Sequence, residues 1–265
     1  MNKILIAFSG AALAITMGFG NYASAAPILW IGDSSGQLGA VDVATGAVNV
    51  IGPLGPTMTD IAFDPSGNLY GITFGQLYSI NKTTAVSSLI GNLGTSLNSL
   101  VFDSSGTLYA ANSSLYTVNV LTGAATLVGS GGASYNSSGD LAFIGGELFL
   151  SSSPGDNLVK LNLSTGAGTL VGGIGFSSVF GLATDNNIDL YGLSGTSVLN
   201  INTTTGVGTL AVNYSGQGLG DAWGTAFFTE SCTGGQCNPV PEPASLALMG
   251  LGLASLGFVR RRKVA

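Results

Sequence analysis

Leu38-Gly-Ala-Val-Asp-Val-Ala-Thr-Gly46 is the first of five versions of one nine-residue phrase. The others are Leu77-Tyr-Ser-Ile-Asn-Lys-Thr-Thr-Ala85, Leu115-Tyr-Thr-Val-Asn-Val-Leu-Thr-Gly123, Leu158-Val-Lys-Leu-Asn-Leu-Ser-Thr-Gly166 and Val198-Leu-Asn-Ile-Asn-Thr-Thr-Thr-Gly206. Their last residues are 39, 38, 43 and 40 apart. A period of about 40 is the length of a four-stranded propeller blade, whereas the rungs of a β-solenoid repeat at about 20 to 30. Each phrase runs through an apolar strand into Asp or Asn and then a Thr-Gly-type corner, and a short apolar stretch follows it. Those stretches end near Ile51-Gly52, Ile90-Gly91, Val128-Gly129, Val171-Gly172 and Ala211-Val212.

A second phrase alternates with the first: Asp60-Ile-Ala-Phe-Asp-Pro-Ser-Gly-Asn-Leu-Tyr70, Ser99-Leu-Val-Phe-Asp-Ser-Ser-Gly-Thr-Leu-Tyr109, Asp140-Leu-Ala-Phe-Ile-Gly-Gly-Glu-Leu-Phe149 and Gly181-Leu-Ala-Thr-Asp-Asn-Asn-Ile-Asp-Leu-Tyr191. Each reads as a hairpin, an apolar strand turning through Asp or Gly into an aromatic strand. Joined to the first phrase it supplies four strands, A to D, of one blade. The array begins at Ile28-Leu-Trp-Ile-Gly32, which matches a second strand, so the first blade lacks its strand A. A spare strand A stands at the far end, Gly224-Thr-Ala-Phe-Phe228. Inserting it in the first blade closes a ring and removes the exposed edges. The expectation is therefore an all-β, five-bladed β-propeller closed by strand exchange. Its hairpins resemble those of NHL-type and gluconolactonase-like propellers.

Composition narrows the chemistry. Histidine is absent from all 265 residues, which removes Ser-His-Asp and Cys-His hydrolysis and His-ligated zinc. Setting aside Lys3 and the basic cluster at 260–263, two of the seven basic residues remain, Lys82 and Lys160. Against 13 acidic residues this gives 2 − 13 = −11. Such a surface repels phosphate backbones, so no nucleic acid is expected as a partner. Cys232 and Cys237 enclose four residues, and in an oxidising compartment they read as a local disulfide in a linker over residues 231–239.

Both ends carry addresses. Lys3, the apolar run from Ile4 to Gly20 and Ala23-Ser24-Ala25 form a signal peptide over residues 1–25, cut between Ala25 and Ala26. At the other end stand Val240-Pro241-Glu242-Pro243, an uncharged run from Ala244 to Val259, and Arg260-Arg261-Arg262-Lys263. The two prolines fix φ and remove backbone donors, keeping the strip extended. The 16-residue run is about 24 Å long as a helix, close to a membrane-spanning length. The basic cluster would stay cytoplasmic.

The order proline motif, apolar run, basic stop resembles a PEP-CTERM sorting signal over residues 240–265, the tag read by exosortase in Gram-negative bacteria. The resemblance implies a single C-terminal transmembrane helix and an inner-membrane anchored intermediate. It also implies an exosortase-type sorting protease as partner, then delivery to the cell surface or an extracellular matrix, with exopolysaccharide as a possible neighbour. Residues 26–230 would form the propeller ectodomain, acting as a non-enzymatic binding or structural module.

Within that ectodomain, Asp64, Asp103 and Asp185 in the hairpin turns read as turn caps. Asp42, Asn81, Asn119, Asn162 and Asn202 read the same way, because all five share one repeat position before the corner. The aromatics Tyr70, Tyr78, Tyr109, Tyr116, Phe149 and Tyr191 read as packing between blades, which explains their regular spacing with less than a carbohydrate-stacking surface would. Strand A begins near the axis, at Asp60, Ser99, Asp140, Gly181 and Gly224, with Asp221 just ahead of the last. Asp60, Asp140 and Asp221 are thus the metal-ligand set, for calcium, which takes six to eight oxygens. Sugar-lactonase propellers hold a metal there with Glu, Asn and Asp. Glu147, Glu230 and Glu242 are the three glutamates here, and none begins a strand A. The alternative function, a calcium-dependent hydrolase or lactonase, rests on that set; no catalytic residue is otherwise expected.

Overall fold

The computed structural model describes residues 27–130, 135–185 and 187–231. The signal peptide with Ala25 and Ala26, the Cys232–Cys237 pair and the sorting tail lie outside the described residues. Among the described residues no helix is long and apolar enough to cross a membrane.

Twenty strands form five four-stranded antiparallel sheets. Blade 1 holds β1 (Ile28–Asp33), β2 (Gln37–Asp42) and β3 (Val48–Pro53), and blade 2 holds β4 (Asp60–Phe63), β5 (Leu69–Ile72), β6 (Gln76–Ile80) and β7 (Ser87–Asn92). Blade 3 is β8 (Ser99–Phe102), β9 (Leu108–Ala111), β10 (Leu115–Val118) and β11 (Ala125–Gly129). Blade 4 is β12 (Ser137–Ile144), β13 (Glu147–Ser152), β14 (Asn157–Leu161) and β15 (Gly168–Gly173). Blade 5 is β16 (Val179–Asp185), β17 (Asp189–Ser194), β18 (Ser197–Ile201) and β19 (Gly208–Asn213). The last strand, β20 (Ala222–Phe227), crosses back to blade 1 and pairs with β1, Leu29 opposite Phe227 and Gly32 opposite Gly224. The expected strand exchange is therefore present.

The corner reading holds in every blade. The side-chain oxygen of Asp42, Asn81, Asn119, Asn162 or Asn202 accepts N–H groups from the residues two and three further on, at 2.8–3.1 Å. Asp64 and Asp103 cap their hairpins likewise. Asp185 instead accepts a hydrogen bond from Thr229 Oγ1 at 2.8 Å.

The apolar residues divide into five clusters, one at each junction between neighbouring blades. An aromatic on each second strand leans on the phenylalanine ending the next blade's first strand. The ring centroids are 5.5 Å apart for Trp30 and Phe63, 5.2 Å for Tyr70 and Phe102, 5.6 Å for Tyr109 and Phe143, and 5.1 Å for Tyr191 and Phe227. At the junction of blades 4 and 5 that phenylalanine position is Thr184.

Glycine at the end of the outer strand has a packing cause. A Cβ on Gly91, Gly129 or Gly172 would lie 2.0, 2.3 or 2.1 Å from the carbonyl oxygen of Thr122, Thr165 or Thr205, in the corner of the next blade. Just before each such position the outer strand carries an extra residue, so the register shifts by one in all five blades. The extra residues Ile51, Ile90, Val128 and Val171 turn inward onto the junction clusters. Their neighbours Val50, Leu89, Leu127 and Leu170, and Leu210 in blade 5, stay exposed on the outside. The bulges bend an edge that carries no charge, one of the ways a sheet avoids pairing with its neighbours.

Candidate functional site: the propeller axis

Five first strands meet at the axis, and space there is short. A Cβ on Gly224 would lie 2.4 Å from Asp60 Cα, and one on Gly139 would lie 2.7 Å from Phe180 O. Two of the five first-strand positions carry acids. Both Asp60 and Asp140 are 0 % exposed and are hydrogen-bonded to one another.

Each acid also fastens blades together. Asp60 Oδ1 accepts the N–H of Ile61 at 2.7 Å, and its Oδ2 accepts the N–H of Leu100, one blade on, at 2.5 Å. Asp140 Oδ1 accepts the N–H of Leu141 at 2.6 Å. Its Oδ2 accepts the N–H of Leu182 and the hydroxyl of Thr225, both at 2.8 Å, joining blades 4, 5 and 1. Burial pushes both carboxyls well above the usual range. The charge of Asp140 lifts Asp60 further, so the pair as a unit gives up its protons only above the ordinary carboxylate range. The two lysines among the described residues are engaged elsewhere: Lys160 with Glu147 at 2.9 Å, Lys82 with Gly67 O and the Phe228 ring.

Glu230 enters from the opposite end. Just after β20 the chain turns, with the N–H of Glu230 donating to Phe227 O at 3.1 Å. The Glu230 carboxyl is buried beside Asp140 and accepts the N–H of Thr184. Thr184, standing where three other junctions and the closing one have phenylalanine, leaves room for it. Burial and then the charge of Asp140 raise its pKa well above the ordinary glutamate value. Sequence reading passed over Glu230, because it lies outside the repeat and begins no strand.

Asp221 corrects the expected metal set. It is exposed and sits against the Gly195 turn, where a Cβ on Gly195 would be 3.3 Å from its Oδ1, instead of joining Asp60 and Asp140 on the axis. The reason is position: Gly224, not Asp221, occupies the axial place in the fifth first strand. Among the described residues no group of three or more His, Cys, Asp or Glu side chains could hold a metal ion. Asp33 was also passed over. It is buried, caps the first hairpin and accepts the N–H of Gly220 at 2.7 Å, which ties the closing segment to blade 1.

Three buried acids with raised folded-state pKa values make stability depend on pH. Their contribution is complete below the unfolded pKa values, about 4, and is lost as pH rises through the raised folded values. The melting midpoint is expected to fall from about pH 5 to pH 9. Glu230→Gln, which removes one of the three protons, should flatten that slope. A midpoint that climbs over the same range in circular-dichroism melts would contradict the arrangement.

Above the acids the axis opens into a cavity of about 260 Å³. Thr59, Asn98, Gly139, Phe180 and Trp223 line it, each one residue before the axial position of its blade, together with Ser138 and the exposed Phe74. All five blades thus contribute the same repeat position with five different residue types. No charged side chain lines the cavity.

Solved structures with the same architecture include a protein of unknown function from Bacteroides thetaiotaomicron. It is 15 % identical, with a TM-score of 0.53 over 78 % of this chain and 66 % of that one, so the match spans just under two thirds of it. A chain of a nidogen/laminin complex is 10 % identical, with a TM-score of 0.55 over 77 % of this chain and 99 % of that one. A gluconolactonase from Xanthomonas campestris is 16 % identical over 75 % of this chain and 79 % of that one, with a TM-score of 0.49. At these identities the likeness is one of fold, and the last score is too low to carry an argument. A search of the curated proteins finds no match. The family model for the PEP-CTERM protein-sorting motif matches residues 239–263. The propeller is thus followed by a PEP-CTERM protein-sorting motif, the signal of an exported protein that is sorted through a membrane-anchored intermediate.

Proposed function

We propose that this chain is an exosortase-sorted surface or matrix protein whose propeller is a non-enzymatic binding module, with its ligand at the axial mouth. The observation that carries the reading is the division of labour along the axis. The mouth gathers one differing residue from each of the five blades around a single uncharged cavity. The two acids beneath it are fully buried and bonded to backbone N–H groups of two blades each. A general acid or base must reach the proton it moves. Acids so enclosed serve the fold, and this supports binding over hydrolysis.

The test is retention of a component from a cell-envelope extract on the immobilised full-length protein. A retained component that is lost with Phe74→Ala supports the reading, because Phe74 is exposed at the mouth and contributes little to the core. An envelope extract from which nothing is retained in a mouth-dependent way would remove it. Processing is tested separately, by mass analysis of the C-terminus in cells with and without the sorting protease. The expected product ends near Val240–Pro243 only when the protease is present.

A further inference from the structure

We infer that the mouth takes a neutral hydroxylated ring, a monosaccharide unit or the end of a longer glycan; this rests on the proposal that the mouth is the binding site. Size sets the first limit. Pockets for drug-sized ligands run from about 300 to 1,000 Å³, and this one is about 260 Å³, room for one ring and not for an oligomer lying flat.

Charge sets the second limit. The cavity has no lysine or arginine, and the titratable groups nearest to it in the chain are Asp60 and Asp140, directly after Thr59 and Gly139. A carboxylated, phosphorylated or sulfated ligand would meet no cation there and would face an acid pair.

Hydrogen bonding sets the third. Asn98 donates through Nδ2 to Ser137 O at 2.9 Å, which fixes its amide and leaves Oδ1 as a buried acceptor without a partner. Ser138 Oγ is likewise buried and unpartnered. Both atoms stand in the wall with almost no open surface. A small shift of the wall that lets a ligand O–H or N–H reach them would satisfy acceptors that are costly to leave unmet, and this favours a ligand with such donors. Three aromatic side chains, Phe74, Phe180 and Trp223, could also suit a quaternary ammonium, but that group has no proton to donate to Asn98. A sugar ring supplies both needs: hydroxyl donors at its edge for Asn98 Oδ1 and Ser138 Oγ, and C–H faces for the aromatic rings.

The test uses the full-length chain in a polyoxyethylene detergent, which carries no sugar headgroup. Saturation-transfer NMR would be run with the methyl glycosides of glucose, galactose, mannose, N-acetylglucosamine and rhamnose, and with glucuronate and choline. At least one neutral glycoside is expected to bind. Trp223→Ala and, separately, the exposed-site variant Phe74→Ala should each weaken it tenfold or more, with unchanged melting for Phe74→Ala. Glucuronate or choline binding better than every neutral glycoside, and lost in the same variants, would overturn the sugar assignment while leaving the mouth as the binding site. Absence of binding by all five glycosides overturns it as well. Sugar binding untouched by both variants would place the site elsewhere and overturn both readings.

Discussion

Replacing Phe227 by alanine is expected to cost about 3–5 kcal/mol and to lower the melting midpoint by about 10 °C for a domain of this size. Phe227 is 1 % exposed, and its ring packs 5.1 Å from that of Tyr191 across the junction that closes the ring. The cavity left behind cannot fill easily, because the strand that carries Phe227 is held by β1 on one side and by the axial contacts of Gly224 and Thr225 on the other. The four remaining junctions would survive, yet the ring would have one weak joint. Denaturant unfolding should then show a lower midpoint. A loss below about 1 kcal/mol, the middle of the range for point mutants, would mean that closure contributes little and the propeller holds together as an open arc.

Gly172→Ala should have an effect of similar size from a different cause. The added methyl would lie 2.1 Å from Thr205 O and 3.0 Å from Thr205 C, both backbone atoms of the neighbouring corner. No rotamer change can relieve it. Two blades must separate locally, which also strains the Asn202 cap on the same corner. Overpacking typically costs about 1–3 kcal/mol and more where nothing can yield; about 3 kcal/mol is expected here. Gly75→Ala is the control, since a Cβ there meets nothing within 4 Å and its φ is ordinary. Its melting midpoint should equal or slightly exceed that of the unaltered chain. Equal midpoints for the two variants would show that the outer corners give way freely.

The repeat made the architecture legible because it displays what every blade shares. Corner caps, bulged outer strands and aromatic pairs recur since each blade solves the same packing problem, and the missing first strand was visible as an unpaired phrase at the far end. The site was harder to read for the complementary reason. The mouth is built from Thr59, Asn98, Gly139, Phe180 and Trp223, one position whose residue type changes in every blade, so it has no motif. Glu230 belongs to no repeat and reaches the axis by a turn after the last strand. Asp221 looked axial by proximity in sequence, but three residues along the chain are enough to carry it from the axis to the surface. Thr184 offered a signal in retrospect: it is the single departure from phenylalanine at the end of a first strand, and a buried acid fills the gap.

The course of β20 also sets which end of the axis each of its two termini serves. Trp223, at its start, lines the mouth, and Glu230, just past its end, plugs the opposite end of the axis. Four strand residues, Gly224 to Phe227, carry the chain about 13 Å from Trp223 to the turn that holds Glu230. The described chain therefore leaves the axis, at Thr229 to Ser231, on the face away from the mouth. The mouth and the exit of the described chain thus occupy opposite faces, so a group filling one need not displace the other.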